Sequence, residues 1–240
     1  MDRFRIDVIS ATENPQQVIW AAMHQDYSEE FVVDGREQWP DETQAGELVI
    51  KHLLAGNRGH YGPLEHPQIT FNVGYFPHSM MQQVRTHRVG VSFDVQSFRY
   101  TGTRIIDVAK GDRDVEDVFY LRPVGKYDNR QGKKYEYTPE QRQADLQWCI
   151  DGCKRYHQRI QEGLAEEHAR GLIPFDARQH FVVSCNTRSL MHLLDLRWKR
   201  DAQLEAQKFC ELLFGHFEQW SPAIAHWYQD NRAKKARLSP

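Results

Sequence analysis

The stretch THRVGVSFDVQSFRY, residues 86–100, sets up an extended rhythm inside a strongly polar run and then reverses it. Val91, Phe93 and Val95 alternate with Ser92, Asp94 and Gln96, the period-two pattern of a strand with one buried face. After Gln96 the apolar set becomes Phe98 and Tyr100, so the phase inverts. A turn or bulge at Gln96 and Ser97 is the simplest cause, and such breaks re-aim side chains. On the N-terminal side, Met80, Met81 and Val84 recur at helical spacing, with Pro77 expected as the first helical residue and Gly90 as the stop. Arg85, His87 and Arg88 then fall in the last turn, where the macrodipole favours each cation by roughly 0.3–1 kcal/mol. The stretch is therefore expected to join a helix to a strand, with Ser97 and Arg99 presented together at the phase break.

Outward from it, the same two periods alternate irregularly. FRIDVIS (4–10) reads as a strand and NPQQVIWAAMHQDYS (14–28) as a helix. A second helix is expected over 41–55, where Leu48, Val49, His52 and Leu53 share a face, and HPQITFNVGY (66–75) is a half-buried strand. Residues 102–138 look irregular apart from a short strand at VFYLRP (118–123), and a loop that long is either functional or mobile. The longest helix is expected over 139–163, then a strand at RQHFVVSCN (178–186), then three helical stretches. The basic end RAKKARLSP (232–240) reads as a solvated, mobile tail. Strands and helices mix without a βαβ rhythm, so the expected class is α+β: one domain over 1–240, a central mixed or antiparallel sheet flanked by helices, and a helical C-terminal part.

The bulk numbers suit this. With 240 residues, 40% hydrophobic and 27% charged, a large core forms without disulfides. The four cysteines make no CxxC pair and are expected buried and reduced. A net charge of −2 supplies no global field for nucleic acid, so any anion site must come from local arginines. The charged N-terminus and the lack of a long apolar run point to a cytoplasmic protein away from membranes.

Chemically, His87, Arg88, Ser97 and Arg99 offer guanidinium, imidazole and hydroxyl donors to a multiply charged anion such as a phosphate. Arg197 extends the apolar stripe Leu190, Leu193, Leu194 and so needs a partner, either a structural carboxylate (Asp195 or Asp201) or a substrate anion. Arg188, His192 and Asp195 lie on another stripe, which also reads as an ion-pair ladder. Ser97 has no base beside it in sequence, so it is read as a binding and polarising group.

THRVGVSFDVQSFRY resembles the signature of the flavin-dependent thymidylate synthases: Arg-His-Arg, seven residues, Ser, then x-Arg-Tyr. HYGPLEH (60–66), ARGLIP (169–174) and SCNTRSLMHLLDLR (184–197) are similar to further blocks of that family. The resemblance implies methylation of dUMP with methylenetetrahydrofolate as carbon donor and NADPH as reductant through FAD, which is bound without a Rossmann fold. It also implies homotetramers with active sites between subunits. By the same resemblance His60, His87, Arg88, Asn186, Arg188 and His192 line the FAD site. Gln83, Gln96, Ser97, Arg99, Arg170 and Arg197 then bind dUMP, with Arg197 and Ser97 acting on the reacting base. The departures are Thr86 where the signature has arginine, one extra residue between Arg88 and Ser97, Asp201 where many members have histidine, and Gly62 in place of a hydroxyl.

Two other functions fit the residues: a phosphate-monoester hydrolase acting on nucleotides, and a non-catalytic nucleotide-binding protein. A metal site is not expected, because His52, His60, His66 and His78 follow no metal-ligand spacing.

Overall fold

A computed structural model describes residues 3–56, 59–129 and 131–235. The first half runs β1 (Arg5–Ala11), α1 (Pro15–Gln25), α2 (Glu42–Val49) with a π-helical extension at Ile50–Leu54, β2 (Gln68–Pro77), α3 (His78–Val84), β3 (Val91–Val95), α4 (Phe98–Thr101) and α5 (Thr103–Lys110). The second half runs β4 (Gly125–Asp128), β5 (Lys134–Tyr137), α6 (Pro139–Gln161), α7 (Glu166–Ala169), β6 (Arg178–Asn186), α8 (Thr187–Arg197), α9 (Leu204–Trp220) and α10 (Pro222–Asn231). Four strands form a sheet in the order β1-β2-β6-β3, and β4 pairs antiparallel with β5. The class is α+β, as the patterning predicts.

Helix starts follow local chemistry. The Asp41 side chain accepts from the Gln44 N–H at 2.8 Å to open α2, and Thr138 with Gln141 forms a reciprocal capping box ahead of Pro139 in α6. The α1 start is capped from a distance, since the Glu42 carboxylate accepts the N–H groups of Gln16 and Gln17, each at 2.9 Å. Gln16 Oε1 in turn accepts from Ala223 N–H at the start of α10, at 2.9 Å. Each device satisfies backbone donors that a helix end leaves unpaired.

The chain divides into two compact units. The first takes in Gly74–Gln83, Asp94–Phe181 and the N-terminal residues up to Phe4. Its core packs α5 on α6 through Ile105, Val108, Phe119, Cys149, Cys153 and Tyr156. A side chain at Gly102 would bring Cβ within 2.2 Å of the Tyr156 hydroxyl, so glycine is what lets the α4–α5 junction lie there. Burial pushes the Cys149 thiol up to about 11 and Cys153 to about 12. All four cysteines are free and buried, as expected.

The second unit takes in Arg5–Val73, Val84–Phe93 and the chain from Val182. α1 packs on α2, and α9 packs on α8, α10 and β1. Ile19, Val49, Leu54, Leu194, Phe209, Phe217 and Tyr228 are fully buried there. Within this core Asp195 of α8 pairs with Arg232, the residue that ends α10.

Several expectations are corrected. Pro77 ends β2 and α3 begins at His78, consistent with proline at a strand end. α3 stops at Val84, six residues before Gly90, so Arg85, His87 and Arg88 lie beyond the helix. VFYLRP makes only an isolated bridge, Phe119 to Ala177, and buries its rings as a loop. Residues 102–138 contain α5 and the β4–β5 hairpin, whose turn is held by the Asn129 side chain accepting from Gln131 and Lys133 N–H, both at 2.9 Å. The phase break at Gln96 is no bulge: β3 ends and Ser97 caps α4. The supposed solvated tail starts with Arg232, which is only 7% exposed; its residues 236–240 lie outside the described residues. Among the described residues no helix is long and apolar enough to cross a membrane.

Candidate active site

In the second unit, the connection from α3 to β3 is fastened to the start of α8. The Ser189 hydroxyl donates to the Val89 carbonyl at 2.8 Å, and the Asn186 N–H donates to the Gly90 carbonyl at 3.4 Å. Asn186 Oδ1 also caps α8 by accepting from Ser189 N–H at 2.8 Å. Gly90 has φ +65°, and a Cβ there would lie 2.3 Å from Ser189 Oγ and 2.5 Å from Asn186 Nδ2. Only glycine combines that left-handed backbone with so close an approach. Beyond this turn β3 keeps its alternation from Val91 to Val95.

Arg197 ends α8 and reaches back to this connection. Its Nε–H donates to His87 Nε2 at 3.1 Å and its Nη2 donates to Thr86 Oγ1 at 2.7 Å. Neither expected carboxylate serves it, because Asp195 pairs with Arg232 and Asp201 with Lys199. The bond from Arg197 makes His87 Nε2 an acceptor, which puts the imidazole proton on Nδ1. That Nδ1 is buried and has no partner. Burial, then the Arg197 charge, then His192, lower the His87 pKa to about 4, so the ring is neutral near pH 7. The His192 ring meets it edge-on at 5.2 Å between centroids, and burial lowers its pKa too.

The remaining cofactor candidates of this unit are more open. Arg188 pairs with Glu65, so the expected ladder of Arg188, His192 and Asp195 does not form: each turns to a different partner. His60 Nε2 lies 2.8 Å from the Asp26 carboxylate, both exposed. Arg88 is exposed beside the buried His87. FAD presents ring carbonyls and a pyrophosphate, all acceptors. Imidazole and guanidinium donors around an N–H with no partner fit that demand.

The first unit carries the other candidates. Ser97 Oγ accepts from Arg99 N–H at 3.3 Å, and Arg99 lies 3.6 Å from Glu167 of α7. Arg170 follows α7 directly and is exposed, as is Arg99. The Gln96 N–H donates to the His180 carbonyl at 2.9 Å, while its side-chain oxygen is buried without a partner. Gln83 lies half-buried at the end of α3. Ser97, Arg99 and the segment bearing Arg170 are thus brought together within the unit.

Sequence reasoning missed Thr86 as an acceptor, Ser189 and Gly90 as the clasp, and Glu65 and Asp26 as counter-charges. Glu65 sits inside the quoted HYGPLEH block and was visible as the only acid there. The others had no local signal. Among the described residues no cluster of three or more His, Cys, Asp or Glu side chains is placed to hold a metal ion.

The sequence model of the thymidylate synthase complementing protein family matches residues 7–223. A flavin-dependent thymidylate synthase of Halobacterium salinarum is 33% identical over 248 aligned positions, covering 98% of this chain and 100% of its own. One from Haloarcula marismortui is 31% identical, covering 98% and 99%. Among solved structures, a UMP/dUMP methylase PolB from Streptomyces cacaoi bound with 5-Br dUMP superposes with a TM-score of 0.76 at 22% identity, over 100% of this chain and 98% of that one.

Proposed function

The chain belongs to the thymidylate synthase complementing protein family, and on that premise we propose that it methylates dUMP to dTMP as a flavin-dependent thymidylate synthase. Methylenetetrahydrofolate is the carbon donor, NADPH the reductant, and a homotetramer the working assembly. The observation that carries this reading is the closure of two distant blocks of the resemblance on each other. Thr86 and His87 hydrogen-bond Arg197, which is 111 and 110 positions away.

When bound, FAD supplies hydride transfer. His87, Arg88, Arg188 and His192 are the residues we assign to hold it, with His60 at the margin and Asn186 shaping the helix start beneath. Arg197 offers N–H groups to the uracil edge and keeps its full charge beside it, because its two acceptors are neutral. In the first unit Arg99, Arg170 and Ser97 are suited to a phosphate, as two exposed guanidiniums and a hydroxyl. Gln83 and Gln96 supply amides for the nucleotide. As a polarising group Ser97 acts by donating its hydroxyl proton, since its oxygen already serves as a helix cap.

The hydrolase alternative needs a nucleophile with a base. Among the described residues no imidazole or carboxylate is hydrogen-bonded to Ser97 Oγ, which speaks against it. The test is purified protein loaded with FAD. An oxidised-flavin spectrum, dUMP-stimulated NADPH oxidation and dTMP formation are expected. Flavin binding with no dTMP, or phosphate release from dUMP, refutes the reading. UMP belongs in the same assay as a second acceptor.

A further inference from the structure

The signature departs at Thr86, and the structure gives that departure a positive content. A half-buried guanidinium normally meets a carboxylate, since an unpaired cation away from water is costly. Arg197 instead meets two neutral acceptors, Thr86 Oγ1 at 2.7 Å and His87 Nε2 at 3.1 Å. The carboxylate beside it in sequence, Asp195, is taken by Arg232. The two bonds use the Nε–H and one Nη2–H, so three of the five N–H groups are uncommitted to them. They also fix the plane of the guanidinium, which is the expensive part of ordering an arginine for a ligand. A second arginine in place of Thr86 would bring a like charge against Arg197 and remove the acceptor.

We propose that Thr86 is a positioning residue that orients Arg197 for an anionic or carbonyl-rich substrate, a task open to a neutral acceptor and closed to the arginine of the common signature. The ligand class rests on the reading that this chain binds dUMP; the orientation of Arg197 by Thr86 does not. Loss of this hydrogen bond to a charged group is expected to weaken a dUMP affinity that depends on it about tenfold.

The experiment compares wild type with Thr86→Val, Thr86→Ser and Thr86→Arg in the FAD-loaded protein. Two readouts are taken: dUMP affinity with KM and kcat, and the titration of His87 by NMR of its ring carbons without nucleotide. Thr86→Val is expected to raise Kd and KM for dUMP about tenfold, with kcat changed less, and Thr86→Ser to restore both to within about twofold. Thr86→Arg is expected to be at least as impaired as Thr86→Val. Freed of one anchor, Arg197 is held less closely against His87 in Thr86→Val, so the His87 titration shifts up by the share the Arg197 charge contributes while burial keeps it below the ordinary imidazole value, and Thr86→Ser leaves it as in wild type. An unchanged His87 titration in Thr86→Val overturns the proposal whether or not dUMP binds. So does wild-type dUMP affinity in Thr86→Val or a gain in Thr86→Arg. A wild type that binds no dUMP while Thr86→Val still shifts His87 sinks the functional reading and leaves the positioning role standing.

Discussion

The residues of THRVGVSFDVQSFRY end up in two different environments. Those before Asp94 belong to the second unit, where His87 is 4% exposed and locked to Arg197, and Asn186 and Ser189 clasp the Gly90 turn. Those from Asp94 belong to the first unit, where Arg99 is exposed, 3.6 Å from Glu167 and over the Tyr100 ring at 5.9 Å. The difference separates two ways of making a site. Interlocked, half-buried groups tie function to stability, so changing one shifts the others. Exposed cations on a firm scaffold are free to change in binding alone. Each prediction below tests whether that division holds.

The largest effect is expected at Arg232, which underpins the helix bearing Arg197. The Asp195 side chain is 0% exposed and Arg232 9%, so Arg232→Met strands a buried charge. The expected loss is about 3–5 kcal/mol in chemical denaturation. Adding Asp195→Asn should recover most of it. A loss under about 1 kcal/mol would mean that the second unit is less interlocked than its contacts imply.

The next concerns His87. Folding holds its pKa at about 4, against an ordinary value of 6.5. Between those two values the unfolded chain binds a proton that the folded chain refuses, so stability falls as pH drops from about 6.5 to about 4. The contribution is complete above that window and amounts to about 3 kcal/mol. His192 and, in the first unit, His180 are also lowered by burial and act in the same sense. Denaturation of wild type and His87→Gln across this range isolates the share of His87: the variant should show a shallower slope. Equal slopes would remove His87 from the interlocked set.

How much of this was legible in the sequence depended on distance along the chain. β6 was readable to the residue, because RQHFVVSCN alternates and ends on the Asn186 cap. α2 and α6 fall within the helices expected over 41–55 and 139–163, and the structure adds the Asp41 cap and the Thr138 capping box at their starts. These signals act over a few positions. The end of α3 was overextended because Arg85 to Arg88 look like last-turn cations, and nothing local reveals that Gly90 serves a docked turn. The candidate site residues of the second unit were legible as types, but their partners were not. Arg197 visibly needed a partner, yet the carboxylates nearest in sequence were the wrong choice, since the acceptors arrive from 110 positions away. Arg232 was hidden by the basic composition around it, which reads as a solvated end until Asp195 is seen beside it.

Gly90→Ala tests the clasp with a smaller change. A methyl group at φ +65° is strained and would meet Ser189 Oγ and Asn186 Nδ2 inside van der Waals contact. A loss of about 2 kcal/mol is expected in denaturation, along with weaker FAD binding measured by flavin fluorescence, since the turn carries His87 and Arg88. A stable protein with unaltered FAD affinity would show that the clasp is structural padding and not part of the interlocked group.

The smallest effect on stability, and the clearest contrast, is expected at Arg99. Its ion pair with Glu167 is long, and both side chains are at least half exposed, so solvent screens it and Arg99→Ala should change stability by under about 0.5 kcal/mol. If Arg99 binds the nucleotide phosphate, dUMP affinity nevertheless falls about tenfold or more, because a charge-assisted bond to a dianion is lost. FAD binding should be unaffected, since none of the residues assigned to FAD lies in the unit that holds Arg99. Lys at this position should recover part of the affinity, as it restores the charge without the planar fork. Calorimetric titration of dUMP, run beside denaturation of the same samples, reads both quantities. Were Arg99→Ala to destabilise the fold or strip the flavin while sparing dUMP, the exposed region would be as interlocked as the buried one, and the phosphate assignment would pass to Arg170.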